Sequence, residues 1–183
     1  METESKICDF GWNAVNFKLK SIDDNFYTLD DLRGKNATLA MFICNHCPYV
    51  KSMIEKIKFE TDELKKLGVN SFAIMSNDQA EYPEDSFENM KVFINKYNLN
   101  IPYLLDESQE IAKKYNAQCT PDFFGFNNKL ELQYRGRLDS SGKNNNPQNL
   151  ERELFNAMKQ VSISGNGPTK QIPSIGCSIK WKK

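Results

Sequence analysis

Histidine is almost absent from this chain. His46 is the only one among 183 residues, so an imidazole-rich metal centre is excluded. A zinc site would need Cys44 and Cys47 joined by Cys119 or Cys177, and no metal ligand set is expected. Net charge is missing too. Twenty-four basic and 24 acidic residues are mixed along the sequence without a long basic run, which argues against nucleic acid and anionic membrane as partners. No stretch approaches the roughly 18 successive apolar residues of a spanning helix. The opening METESKICDFGWNAV has no apolar segment behind a basic start. A cytoplasmic protein is the expectation. The length fits one domain over residues 1–183, with 162–183 as an extended tail.

Five cysteines, an odd number at irregular positions (8, 44, 47, 119 and 177), argue against a secreted disulfide scaffold. In a reducing compartment, a Cys-x-x-Cys is more often redox-active or metal-binding than structural. Here that motif has a telling position. The apolar run Ala37–Ile43 leads directly into Cys44-Asn45-His46-Cys47-Pro48, and a helical pattern follows. A buried strand therefore delivers two thiols to a helix start, close enough to form a disulfide. Unpaired N–H groups and the positive end of the helix dipole favour a thiolate there. Cys44 is expected to be the more exposed thiol and the nucleophile, with His46 stabilising its thiolate.

Before this motif, Asn16–Lys20 alternates like an edge strand, and Asn25–Lys35 reads as a turn followed by a short helical piece. Phe10, Trp12 and Phe17 are expected to pack in the interior. After it, Val50, Met53, Ile54, Ile57, Leu64 and Leu67 recur at helical spacing, and Gly68 stands at the C-terminal cap. Val69–Met75 is a second buried strand ending in Ser76-Asn77-Asp78. A helix over Ser86–Tyr97, a strand over Ile101–Leu105 and a helix near Ser108–Tyr115 follow. Asp122–Phe126 and Leu130–Tyr134 form a hairpin around Asn127-Asn128-Lys129. Asn146 and Pro147 open a last helix carrying Leu150, Leu154, Met158 and Val161. The tail should return to the domain through Ile179 or Trp181. This alternation specifies an α/β three-layer sandwich with a mixed central sheet. Its first two parallel strands should be neighbours, so that Cys44 and Ser76-Asn77 leave at the same sheet edge.

The segments FKLKSIDDNFYTLDDLRGKNATLAMFIC, CNHCPYV, IPYLLDES, QCTPDFFGF, YRGRLD and GCSIKW occur in an order that resembles the thioredoxin-like superfamily. Within it, they resemble the redoxin branch holding the alkyl hydroperoxide reductase and thiol-specific antioxidant relatives, and its peroxiredoxin-like group. The resemblance spans nearly the whole chain. It implies a thioredoxin-like fold with Cys44 as attacking and Cys47 as resolving cysteine, and Thr120-Pro121 as a cis-proline loop facing them. Thr120 would then bind substrate through its backbone. Two positions depart from the pattern. Thr38 stands where thioredoxins carry a buried acid, and Met41 stands where a peroxide-binding threonine would precede Cys44.

Cys119, Cys177 and Arg137 are possible accessory residues: two further thiols, and a guanidinium that could stabilise a thiolate. The expected function is a thiol–disulfide oxidoreductase using the Cys44–Cys47 pair. The alternatives are a thiol peroxidase and a metal-binding or redox-sensing interaction module. The expected partners are a disulfide-containing protein or a peroxide, with thioredoxin or a low-molecular-weight thiol as reductant. No separate cofactor is required.

Overall fold

A computed structural model describes residues 1–143 and 150–183. The elements are β1 (Glu2–Glu4), β2 (Lys18–Ser21), β3 (Phe26–Thr28), α1 (Leu29–Leu32), β4 (Ala37–Phe42), α2 (Pro48–Lys65) and β5 (Val69–Met75). There follow α3 (Phe87–Tyr97), β6 (Tyr103–Leu105), α4 (Glu110–Lys114), β7 (Cys119–Thr120), β8 (Asp122–Asn127), β9 (Leu132–Tyr134), α5 (Glu153–Ser164) and β10 (Ile175–Ser178). A 3-10 turn, Pro83–Asp85, precedes α3.

The main sheet has seven strands in the order β3-β2-β6-β5-β4-β8-β9. β4 pairs parallel with β5 and antiparallel with β8, and β6 pairs parallel with β5. This is the mixed sheet expected, with β4 an interior strand between β5 and β8. Alternation along the strands divides the interior in two. Leu39, Met41 and Ile43 face one side with α2, α3 and α5, where Ile54, Met90 and Met158 are buried. Ala40 and Phe42 face the other with α1 and α4, among Phe17, Phe72, Tyr115 and Phe124. Each fully buried Leu, Ile or Phe contributes about 1.5–3 kcal/mol, so a strand apolar on both faces is locked into register from both sides. Gly125 in β8 lets α5 approach: a Cβ there would lie 2.2 Å from Met158 Sδ.

Several local expectations hold. β5 matches its segment to the residue, and α3 fills the expected helix from Phe87 to Tyr97, with Ser86 as its N-cap, the hydroxyl accepting from Asn89 N–H. Others are corrected. β2 is interior, because the segment read as a turn forms β3 and covers that edge. Leu130 has a positive φ of 62° and belongs to the turn, so β9 is shorter than expected. Phe10 is 48% exposed, whereas Phe17 is buried and Trp12 packs edge-on to Tyr115. The expected cap Asn146 and Pro147 lie outside the described residues. α5 is capped by Arg152 and Leu150 precedes it.

Residues 162–164 complete α5, which ends at Gly165 in the left-handed conformation (φ +76°). The chain then crosses back to place β10 between β1 and β7 in a second, three-stranded sheet. Ile179 is buried and Trp181 is 39% exposed, so the isoleucine is the anchor. Among the described residues, no helix is long and apolar enough to cross a membrane.

Candidate active site

The last backbone bond of the central strand pair joins Ile43 N–H to Ile74 C=O at 3.1 Å, and the chain then leaves the sheet as Cys44-Asn45-His46-Cys47. Cys47 is the N-cap of α2, and Pro48 occupies the first helical position, where a missing N–H costs nothing. On the opposite side, the Thr120–Pro121 peptide bond is cis, and Thr120 meets both sulfurs. Its Oγ1 is 3.4 Å from Cys44 Sγ, and its carbonyl oxygen is 3.1 Å from Cys47 Sγ.

Both cysteines are fully buried, which corrects the expected exposure of Cys44. The cover comes from the far end of the chain. β10 pairs with β7 so that Cys177 stands opposite Thr120, and Cys177 Sγ lies 2.8 Å from Cys47 Sγ. Cys119 faces elsewhere: its thiol contacts the carbonyls of Pro121 (3.4 Å) and Ser174 (3.9 Å). Burial pushes its pKa far above the ordinary range.

The surroundings shift the two thiols in opposite directions. Cys47 is lowered by its hydrogen bond with Cys44, then by those from Cys177 and the N–H of Val50, all against its burial. Cys44 is raised by that shared hydrogen bond, by burial and by the Asp85 carboxylate. Asp85 adds to the shared hydrogen bond and the burial in disfavouring a Cys44 thiolate. Its Oδ1 accepts from the N–H groups of Asn45 (2.8 Å) and His46 (3.3 Å), so those donors are spent on a carboxylate.

The same carboxylate holds the histidine. His46 Nδ1 is 2.6 Å from Asp85 Oδ2 and 4.0 Å from Cys44 Sγ. The hydrogen bond to Asp85 raises the His46 pKa. Burial alone would raise the Asp85 pKa, but the bonds from His46 and Asn77 bring it below the ordinary value. Tyr82 stacks on the imidazole at 5.5 Å with planes 7° apart. Asn77 Nδ2 donates to Asp85 at 2.8 Å, and Asn77 Oδ1 accepts from Lys180 N–H at 2.9 Å, linking the loop to the tail. Cys44, His46 and Asp85 each bring a possible ligand atom within 4.8 Å of the others. The Asp85 oxygens already accept four hydrogen bonds, so a cation there would have to displace them.

Arg137 is not brought to the sulfurs. It forms a bidentate pair with Glu153 of α5, its nitrogens 2.8 to 3.1 Å from the carboxylate oxygens. Arg135 is buried, bonded to Asp122 (3.2 Å), Ser5 (3.1 Å) and the Asn116 carbonyl (2.7 Å). Sequence reasoning missed Asp85 and Tyr82 altogether. They sit in EYPED, a stretch without periodicity; the available signal was that a lone histidine beside thiols needs a partner from a loop at the same sheet edge.

Comparison with known proteins agrees with this architecture. Residues 10–136 match the AhpC/TSA family. The chain is similar to an uncharacterized conserved protein from Geobacillus kaustophilus, with 43% identity over 100% of this chain and 97% of that one (TM-score 0.92). It is also similar to a hypothetical protein from Sinorhizobium meliloti 1021, with 34% identity over 98% of each chain (TM-score 0.92). A secreted Mycobacterium tuberculosis disulfide oxidoreductase shares the fold at 20% identity, covering 64% of this chain and 80% of that one (TM-score 0.55). A search of curated proteins finds no sequence match.

Proposed function

The chain belongs to the AhpC/TSA family, a thioredoxin-like group, and from that premise we propose that it is a thiol–disulfide oxidoreductase worked by Cys44 and Cys47. The observation that carries this proposal is the meeting of both sulfurs on Thr120, with Cys47 as the N-cap of α2. A thiolate is the species that attacks a disulfide.

Cys47 attacks a disulfide of a partner protein or small thiol compound, one partner sulfur leaves, and a mixed disulfide forms on Cys47. Cys44 then gives up its proton and attacks Cys47 Sγ. The second partner sulfur is expelled as a thiol, and Cys44–Cys47 is left oxidised. His46, held by Asp85 at 4.0 Å from Cys44, is placed to steady charge as that proton leaves. Thioredoxin or a low-molecular-weight thiol returns the pair to the dithiol form. Five free thiols suit the cytoplasm, and we place the protein there.

This reading exchanges attack and resolution relative to the expectation for the pair, because Cys47 is the helix cap and shares its hydrogen bonds with Cys44 and Cys177, whereas Cys44 is disfavoured as a thiolate by that shared bond, by burial and then by Asp85. Insulin reduction driven by dithiothreitol tests the proposal. Cys47→Ser should lower the rate to the uncatalysed background, whereas a rate equal to the wild type would overturn it.

A further inference from the structure

A cysteine on the covering strand is an unexpected feature of a site that must admit another protein's disulfide. Cys44 and Cys47 are both fully buried, and β10 lies directly against Cys47. β10 lies antiparallel to β7, with Cys177 opposite Thr120 and Ser178 opposite Cys119. It therefore occupies the backbone edge beside Pro121, and its own Cys177 Sγ is 2.8 Å from Cys47 Sγ.

The fit is close. A Cβ on Gly176 would lie 2.2 Å from the Thr120 carbonyl oxygen, so glycine is what lets the strand lie flat against the loop. Beyond the strand, the tail is fastened to the site's other side. Lys180 N–H bonds Asn77, and its carbonyl accepts from Asp78 N–H and Gln109 Nε2, each at 2.8 Å.

From this arrangement we propose that Cys177 is a second resolving thiol for Cys47. We further propose that β10 takes, in the reduced protein, the place of a partner's disulfide-bearing strand. The proposal rests on the oxidoreductase function above. A partner strand displaces β10 and Cys47 attacks its disulfide; the first partner sulfur leaves as a thiolate and takes a proton from solvent. β10 then returns to Thr120 and Cys177 attacks Cys47 Sγ. The Cys47–partner bond breaks, the Cys47–Cys177 bond forms, and the second partner sulfur departs with the proton Cys177 gives up. Two electrons have passed to the partner, and the oxidised bond lies between Cys47 and Cys177. Strand exchange and sulfur exchange occur on one element, so resolution also evicts the product from its binding edge. Cys177 could equally take over Cys47 from a Cys44–Cys47 disulfide, with Cys44 leaving as the thiol and no net change in oxidation.

The test treats the full chain with oxidised glutathione, blocks remaining thiols, and locates disulfides by peptide mass spectrometry. In Cys44→Ser, a Cys47–Cys177 link should form and glutathione should be released. In the double variant Cys44→Ser/Cys177→Ser, glutathione should stay on Cys47. Glutathione held on Cys47 as long in Cys44→Ser as in the double variant would overturn the second resolving thiol and leave Cys47 as the attacking residue. No glutathione on Cys47 in the double variant would overturn both proposals. Gly176→Val tests the covering strand: lifting β10 should speed iodoacetamide alkylation of Cys47 by about tenfold. An unchanged rate in a folded variant would overturn the cover, and if that variant does not fold, the glutathione comparison decides.

Discussion

Asp85 and Asp122 are both fully buried, both accept backbone N–H groups, and both stand beside the dithiol loops, yet they are partnered in opposite ways. Asp122 faces a guanidinium, Arg135, which never loses its charge in the accessible pH range. It also takes hydrogen bonds from Ser5 Oγ (2.5 Å) and Gln118 N–H (3.0 Å). Asp85 faces an imidazole, whose charge changes near neutrality. The first cluster pins the N-terminal segment and the proline loop permanently. The second ties the cysteine loop down with a bond that pH can weaken, next to a sulfur that must lose a proton.

The largest effect should come from breaking the permanent pair. Arg135→Met leaves Asp122 as a buried charge without a counter-ion and should cost about 3–5 kcal/mol, measured by urea unfolding. Asp122→Asn/Arg135→Met should recover much of that loss, because removing both charges also removes the desolvation penalty. A single-variant loss below about 1 kcal/mol would place this pair among ordinary surface bridges, and the contrast with Asp85 would collapse.

Breaking the switchable pair should cost less and change the pH dependence. His46 has its pKa raised from 6.5, so its contribution is complete below that value and is lost as pH rises through the folded value. Asp85 is lowered from 3.8, so its contribution is present above that value and is lost as pH falls through the folded one. Between these limits, Asp85→Asn should destabilise by about 1–3 kcal/mol through the lost charged hydrogen bonds. The difference from wild type should shrink above pH 6.5. Because the chain has one histidine, its single imidazole NMR titration gives a direct check: the midpoint should fall in the variant.

The sulfurs sharpen the comparison further. Iodoacetamide alkylation followed against pH should show Cys47 titrating near 5, with Cys44 reacting only at much higher pH. In Asp85→Asn, Cys44 should become reactive at lower pH, because the carboxylate that opposes its thiolate is gone. If Cys44 is instead the first to be alkylated at acidic pH in wild type, the asymmetry drawn between the two sides of the loop is wrong.

What the sequence reveals here follows how local each signal is. β4, β5 and the helix beginning at Pro48 are written in contiguous residues: apolar runs and 3.6-residue spacing. The cysteine loop is legible for the same reason. Asp85 is not, because its meeting with His46 spans 39 positions and depends on two loops emerging from neighbouring strands. The cover over Cys47 is less legible still. Its contact with Cys177 spans 130 positions, through a four-residue strand held by three register pairs to the N-terminal strand β1. The motif alone therefore points to Cys44, whereas the carboxylate and the third sulfur come from distant parts of the chain.

Arg137 is where the smallest effect is expected, and it separates the site from its surroundings. Its guanidinium is partly exposed and joined to Glu153 on the outer side of α5, away from the sulfur contacts described above. A partly exposed pair of this kind contributes about 0.2–1 kcal/mol. Arg137→Ala should therefore lower stability by no more than about 1 kcal/mol and leave the Cys47 alkylation profile where it is. A shift of that profile toward higher pH would mean that the guanidinium reaches the thiolate in solution. Cys47 would then owe its acidity to a charge from the β9 side of the molecule as well as to Cys44, Cys177 and the helix start.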